Sequence, residues 1–167
     1  SLPPIPEVQM EYVESADEME KEMIRYAPAA DYIFMASAVS DYTPIETSEK
    51  KIKRLSNDMV LQLKQSSDIL KSISDKTNAI ITAFALETHD GENEALRKLK
   101  SKDTDFIILN YANEIGAGFE SSTNRVIIFS KQGAKKELKK NRKDRIAEKI
   151  IIYILEYLEQ NKAVLNS

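Results

Sequence analysis

Apolar positions along the chain fall into three patterns, alternating, continuous and helical, and each predicts a different element. Val8, Met10 and Tyr12 alternate with polar neighbours, which predicts a half-buried strand. Ser15-Ala16-Asp17-Glu18 has the spacing of a capping box, with Glu18 reaching back to the helix start. Met19, Met23 and Tyr26 give that helix its stripe, and Pro28 closes it. Tyr32 to Val39 is a continuous apolar run, which predicts a parallel strand buried on both faces. Residues 40–56 keep no period and predict a long loop, followed by a short alternating strand at Met59, Leu61 and Leu63.

The second half is more regular. Ser66-Ser67-Asp68 starts a helix whose stripe is Ile69, Leu70 and Ile73. Buried strands are predicted at 79–85 and 106–109, with a helix at 91–102 between them that turns Ala95 and Leu99 inward. Residues 125–129, a turn at Lys131-Gln132-Gly133 and a short partner strand predict a hairpin. A last helix over 142–161 places Ile146, Ile150, Ile154 and Leu158 on one face. Strands alternating with helices predict an α/β, Rossmann-like three-layer fold, with a mostly parallel sheet plus a C-terminal β-hairpin and helix. No linker or repeat interrupts 8–161, so 1–167 is expected to form a single domain.

Composition narrows the chemistry. At 167 residues and 42% apolar, the chain can bury a core of ordinary size. There is no cysteine, so disulfides, thiolate metal sites and a Cys nucleophile are excluded, and a single histidine, His89, excludes a His-rich metal site. His89 itself is expected in a surface loop. A net charge of −3 argues against a nucleic-acid binder. The basic run Lys135-Lys136, Lys139-Lys140, Arg142-Lys143 lacks interleaved aromatics and is expected to be a solvated hairpin and helix start. No apolar run approaches the ~18 to 20 residues of a membrane span, and no signal-peptide pattern opens the chain. A cytoplasmic setting is expected.

In open α/β sheets, ligands bind outside the carboxyl ends of the strands. The informative residues are therefore Ser37 to Asp41, Phe84 to Thr88, and Asn110 onward. No dinucleotide or Walker fingerprint is present, and Ile115-Gly116-Ala117-Gly118 opens no helix. Taken alone, each candidate keeps two readings. Lys51 is a solvated loop lysine or a cation held for an anion, and Asp41 is a turn residue or a ligand contact. Lys98 and Lys102 share a helix face, either solvated, with Glu94 pairing Lys98 one turn away, or flanking an anion. Asp68 is a helix-start acid or part of a polar ligand site. Phe84 is core or a ring beside a ligand.

The same strand ends resemble a specific family. Ser37-Ala38-Val39-Ser40-Asp41-Tyr42, with Lys51-Ile52-Lys53-Arg54 ten residues after Asp41, is similar to the AAVAD(Y/W)…KIKK pattern of phosphopantothenoylcysteine synthetases. Ser67-Asp68-Ile69-Leu70 stands where that family has PDIL, and Ala83-Phe84-Ala85-Leu86-Glu87-Thr88 where it has GFAAET. Ala95, Lys98, Lys102, Asp105 and Asn110 follow its A…K…K…D…N spacing, and Gly118-Phe119…Asn124-Arg125-Val126 its GF…N.V ending. The motifs stay in order over roughly 8–130. Ser37, Ser40, Ser67, Ala83 and Leu86 depart from the pattern, and Leu86 is the one expected to narrow a pocket. The family's opening strand, glycine-rich loop with a TN.SSG segment, and helix have no counterpart here. Ser1-Leu2-Pro3-Pro4-Ile5-Pro6 reads equally as a connection between elements or as a simple disordered N-terminus. The missing family segment implies a domain that is N-terminally incomplete.

The resemblance implies nucleotide-dependent ligation of 4′-phosphopantothenate to cysteine in coenzyme A biosynthesis, through an acyl-cytidylate made from CTP with Mg²⁺. It implies that Ser37, Ala38, Asp41, Asp68, Ile69, Phe84, Lys98 and Lys102 bind the nucleotide. It implies that Lys51 is a flap lysine that meets the nucleotide phosphates or developing charge, and so the catalytic residue. It implies a homodimer with residues 58–64 and the 125–138 hairpin near the interface. Two other readings remain, a nucleotide-binding α/β fragment without turnover and a diverged α/β protein without ligase activity.

Overall fold

A computed structural model of the protein describes residues 6–46, 48, 50–51, 59–88, 90–111 and 122–161. Its chain divides into two compact units, one formed up to Ala30 and from Ser37 to Asn78, the other from Asp31–Ala36 and from Ala79 onward.

In the first unit, helix α1 (Ala16–Tyr26) starts on the predicted capping box. Ser15 Oγ accepts the Glu18 N–H at 3.2 Å, and the Glu18 carboxylate accepts the N–H groups of Glu14 and Ser15 at 2.7 and 3.3 Å. Those main-chain bonds hold the Glu18 carboxyl below its usual range. Pro28 sits in a 3₁₀ turn, Ala27–Ala29, directly after the helix. A short helix α2 (Ile69–Ile73) is capped by the Asp68 carboxylate and buries Ile69, Leu70 and Ile73, as its stripe predicts.

Two sequence expectations fail in this unit. Residues 8–13 form no strand, and Val8, Met10 and Tyr12 are exposed. Alternation yields a strand only where a neighbour supplies a ladder and a face to cover. Here Gln9 and Glu11 instead bond to the Tyr26 hydroxyl, and Glu11 pairs with Arg25 at 3.0 Å. The long loop expected over 40–56 contains strand β2 (Tyr42–Pro44), paired antiparallel with β3 (Leu63–Gln65), so the strand expected at 59–63 lies further along the chain. The ladder continues through Ile45 N–H to Gln62 O at 3.0 Å and Ser66 N–H to Asp41 O at 2.9 Å.

The second unit is a five-stranded sheet with order β1 (Tyr32–Met35), β4 (Ile80–Glu87), β5 (Phe106–Tyr111), β6 (Thr123–Ser130), β7 (Lys135–Arg142). The first three strands are parallel, and the hairpin β6–β7 continues the sheet antiparallel. This is the expected Rossmann-like α/β arrangement. Helix α4 (Lys143–Gln160) covers one face, packing Ile146, Ile150 and Ile154 on Phe106, Ile108, Val126 and Ile128. Burying each such isoleucine contributes roughly 1.5–3 kcal/mol. Helix α3 (Gly91–Ser101) lies against β5 and turns Ala95 and Leu99 inward. The buried Ile107 and Leu109, on alternate positions to Phe106 and Ile108, point to the opposite sheet face, where Leu109 reaches Gly91 of α3. Gly133, at φ 91°, makes the hairpin turn, a conformation that costs glycine little.

β1 differs from its sequence expectation. Only Ile33 and Met35 are buried, while Tyr32 and Phe34 are about 40% exposed (43% and 40%). The run is apolar throughout, but β1 is the edge of the sheet, so only one of its faces is covered. β4 and β5, in the interior, bury residues on both faces as predicted.

Candidate functional site

The candidate residues divide between the two units. In the first, Ser37, Ala38, Asp41 and Lys51 are exposed. The Asp41 main chain anchors the β2–β3 ladder through its carbonyl, leaving its side chain at the surface. Ser40 Oγ donates to Tyr42 O at 3.0 Å and fixes the turn into β2. Asp68 is exposed at the start of α2, where its carboxylate accepts the Lys71 N–H at 3.4 Å. Ile69 is 3% exposed, so its side chain belongs to the core and only its main chain can meet a ligand. Beside these residues lies a polar cleft of about 550 Å³, lined by Asp17, Glu20, Lys21, Thr43, Lys64 and Ser67. Ser67 Oγ donates to Glu20 Oε2 at 2.6 Å. This cleft leaves no signal in the sequence, because its walls come from elements far apart in the chain.

In the second unit, β1, β4 and β5 run in the same direction, so their carboxyl ends lie side by side. Phe84, in β4, is half-buried and lines an apolar cavity of about 430 Å³ with Phe34, Ala36, Asn124, Lys143 and Ile150. The cavity offers a ring face, aliphatic walls and two polar groups, an amide and an ammonium. Leu86 is 44% exposed and is not among the residues lining this cavity, so the narrowing expected of it is not seen there.

Lys98 projects from α3 onto the end of β4, where its Nζ meets Glu87 Oε1 at 2.6 Å. The pairing of Lys98 with Glu94 expected from their spacing does not form. Glu94 is taken by Arg97 at 2.8 Å, and that bond holds the Glu94 carboxyl below its usual range. Glu87, with its side chain only 15% exposed, has the greater need of a counter-charge and claims Lys98. Lys102 caps α3 and is partly buried. Asn110, at the end of β5, accepts a hydrogen bond from the Asn124 amide at 2.9 Å. An acidic residue closing an apolar strand, as Glu87 does, is the sequence signal that marks this place. His89, Ile52-Lys53-Arg54 and Ile115-Gly116-Ala117-Gly118 lie outside the described residues.

The basic run falls on β7 and the start of α4. Lys135 pairs with Glu92 at 2.7 Å and Arg142 with Asp144 at 3.0 Å, while Lys136 and Lys139 are exposed along the strand. Lysines on an edge strand oppose pairing with a further strand.

These features define a Rossmann-like α/β domain with cationic, amide and aromatic side chains at the carboxyl ends of its parallel strands. Residues 1–158 match the family model described as the DNA/pantothenate metabolism flavoprotein C-terminal domain, and the chain belongs to that family. It is 39% identical over 127 residues to the coenzyme A biosynthesis bifunctional protein CoaBC of Bacillus subtilis (strain 168), a match covering 75% of this chain and 31% of that protein. It is also 39% identical over 145 residues to a cysteine/cysteine sulfinic acid decarboxylase from an unknown prokaryotic organism, covering 86% of this chain and 40% of that protein. The chain thus spans well under half the length of these relatives. Among solved structures, the C-terminal domain of a CoaBC protein superposes with a TM-score of 0.77 at 28% identity, covering 96% of this chain and 71% of that one.

Proposed function

We propose that the chain is the nucleotide-handling part of a CTP-dependent phosphopantothenate–cysteine ligase of coenzyme A biosynthesis. The observation that carries this reading is the family match over 1–158 together with Lys98 at the carboxyl end of β4 and Phe84 in the second half of that strand. In the reaction, a carboxylate oxygen of 4′-phosphopantothenate attacks the α-phosphorus of CTP, and pyrophosphate leaves with the bonding pair. The cysteine amine then attacks the acyl carbon, CMP leaves, and the amine proton passes to solvent. Such steps depend on charge stabilisation and positioning, which suits a chain whose candidate residues are lysines rather than histidine or cysteine.

In this reading Phe84 packs by the nucleotide, Ser37, Ala38, Asp41, Asp68 and the Ile69 main chain contact it, and Lys98 and Lys102 hold the phosphates. Lys51 meets the charge that develops on transfer. Among the described residues, no three acidic or histidine side chains gather into a metal-sized cluster. In this reading Mg²⁺ comes with the triphosphate, which supplies oxygen ligands of its own. No described helix is long and apolar enough to cross a membrane, and we place the reaction in the cytoplasm.

These 167 residues hold no counterpart of the family's glycine-rich loop. We therefore expect these residues by themselves to bind CTP without completing ligation. A pyrophosphate-release assay with CTP, Mg²⁺, 4′-phosphopantothenate and cysteine tests this. No turnover is expected from the chain alone, and turnover is expected once a family strand–loop–helix segment is fused ahead of Ser1. Robust turnover by the chain alone contradicts the reading. We also propose a homodimer with residues 58–64 and the 125–138 hairpin near its contact. Light scattering at micromolar concentration should give twice the chain mass, and a monomer counts against it.

A further inference from the structure

We propose that Glu87 is the resting counter-ion of Lys98, a positioning residue that holds the ammonium at the end of β4 and yields it only to a highly charged anion. The inference rests on the reading of these strand ends as a phosphate site. Lys98 belongs to α3, yet its partner is on another element, 2.6 Å away. The acid one turn back on the same helix, Glu94, is already committed to Arg97. Glu87 sits on a strand fixed by its neighbour, in register with Tyr111 of β5, so the carboxylate is held at a set position.

Side-chain exposures of 15% for Glu87 and 32% for Lys98 place the pair between core and solvent. There a lone carboxylate is costly, and the pair is mutually required while no ligand is bound. An ammonium has three donors. Among the described residues Glu87 uses one of them, which leaves two for a ligand. A di- or triphosphate brings several negative charges and competes well with one carboxylate, whereas a nucleoside monophosphate brings fewer and competes poorly. Glu87 therefore sets a charge threshold that favours the triphosphate over the monophosphate and hastens release of the latter.

Two measurements on the intact 167-residue chain test this. The first needs no ligand: acetylation of each lysine by an activated ester, followed by mass spectrometry. Lys98 should label several-fold more slowly than the exposed Lys136. Glu87→Gln, which keeps size and an acceptor, should raise labelling of Lys98 about three-fold or more and leave Lys136 unchanged. Equal labelling of Lys98 in the two proteins overturns the proposal. The second is calorimetry with pyrophosphate, CTP and CMP. Glu87→Gln should tighten CMP by roughly three- to ten-fold, change CTP and pyrophosphate less, and so narrow the preference for CTP over CMP. The gain should vanish when Lys98→Gln is added. A purely structural Glu87 would weaken all three ligands instead, and that result, or no change, overturns the proposal while leaving the strand-end site standing. If neither the unaltered chain nor Glu87→Gln binds any of the three, the phosphate-site reading itself fails, and the threshold fails with it.

Discussion

Asn124 donates its side-chain amide to the side-chain oxygen of Asn110 at 2.9 Å, bridging β5 and β6 where the parallel part of the sheet meets the antiparallel part. The β6–β7 register shifts between Asn124 and Val126, so Asn124 sits in an irregularity of the ladder. Bulges of this kind re-aim side chains. Asn124 Oδ1 also accepts the Arg125 N–H at 3.0 Å, which fixes the amide's orientation from its other end. The N.V spacing read from the sequence is thus tied to the strand end that carries Asn110.

Replacing Asn110 by Ala should cost roughly 1–2 kcal/mol of stability, because the partly buried Asn124 amide loses its acceptor. The double variant with Asn124→Ala should cost less than the two single variants together. Urea unfolding measures both, and strict additivity would mean that the bond contributes nothing.

Gly91 opens α3 beneath the Tyr111 ring. A Cβ at this position would stand 2.8 Å from Tyr111 Cε1 and 3.2 Å from Leu109 Cδ1. Alanine is the better helix former by about 1 kcal/mol, yet overpacking of this kind costs typically 1–3 kcal/mol. Gly91→Ala should therefore lower the melting temperature, and Tyr111→Ala in the same chain should restore part of the loss.

Asp105 is a half-buried acid at the start of β5. Burial pushes its carboxyl above the ordinary aspartate range, opposed by the Ile81 N–H, which it accepts at 2.8 Å, and by Lys131. A carboxyl whose value is raised by folding contributes stability below its unfolded value of about 3.9, and that contribution is lost as pH rises through the raised value. Asp105→Asn should therefore be more favourable relative to the unaltered protein at pH 7 than at pH 3. Paired urea titrations at the two pH values check this. An equal difference at both would show that folding does not shift the group.

How much of this could be read in advance depends on how local the cause is. The stripe Ile146, Ile150, Ile154, the apolar runs of β4 and β5, the hairpin turn and the Ser15–Glu18 box each depend on neighbours within a few residues, and all appear as predicted. The strand expected at Val8, Met10 and Tyr12 and the double burial expected of β1 both fail, because neither alternation nor a continuous apolar run says which neighbours cover a strand. The candidate site shows the same division. Lys98 stands out by spacing on a helix, but its partner Glu87 lies across a packing interface and not one turn away.

Lys51→Gln, assayed in a chain that carries the upstream family segment, should lower kcat by tenfold or more with the KM for CTP within about twofold, since a cation that meets developing charge acts in the transition state. Equal loss in kcat and in CTP affinity would make Lys51 a binding residue. No change would leave it a solvated loop lysine.

Whether these strand ends bind a nucleotide is decided by calorimetric titration of the 167-residue chain with CTP and Mg²⁺. One CTP site per chain is expected, weakened roughly ten- to hundredfold by Lys98→Gln, as when a charge-assisted phosphate contact worth about 1.5–3 kcal/mol is removed. Heats no larger than dilution, or CTP binding that Lys98→Gln and Lys102→Gln leave untouched, would contradict it.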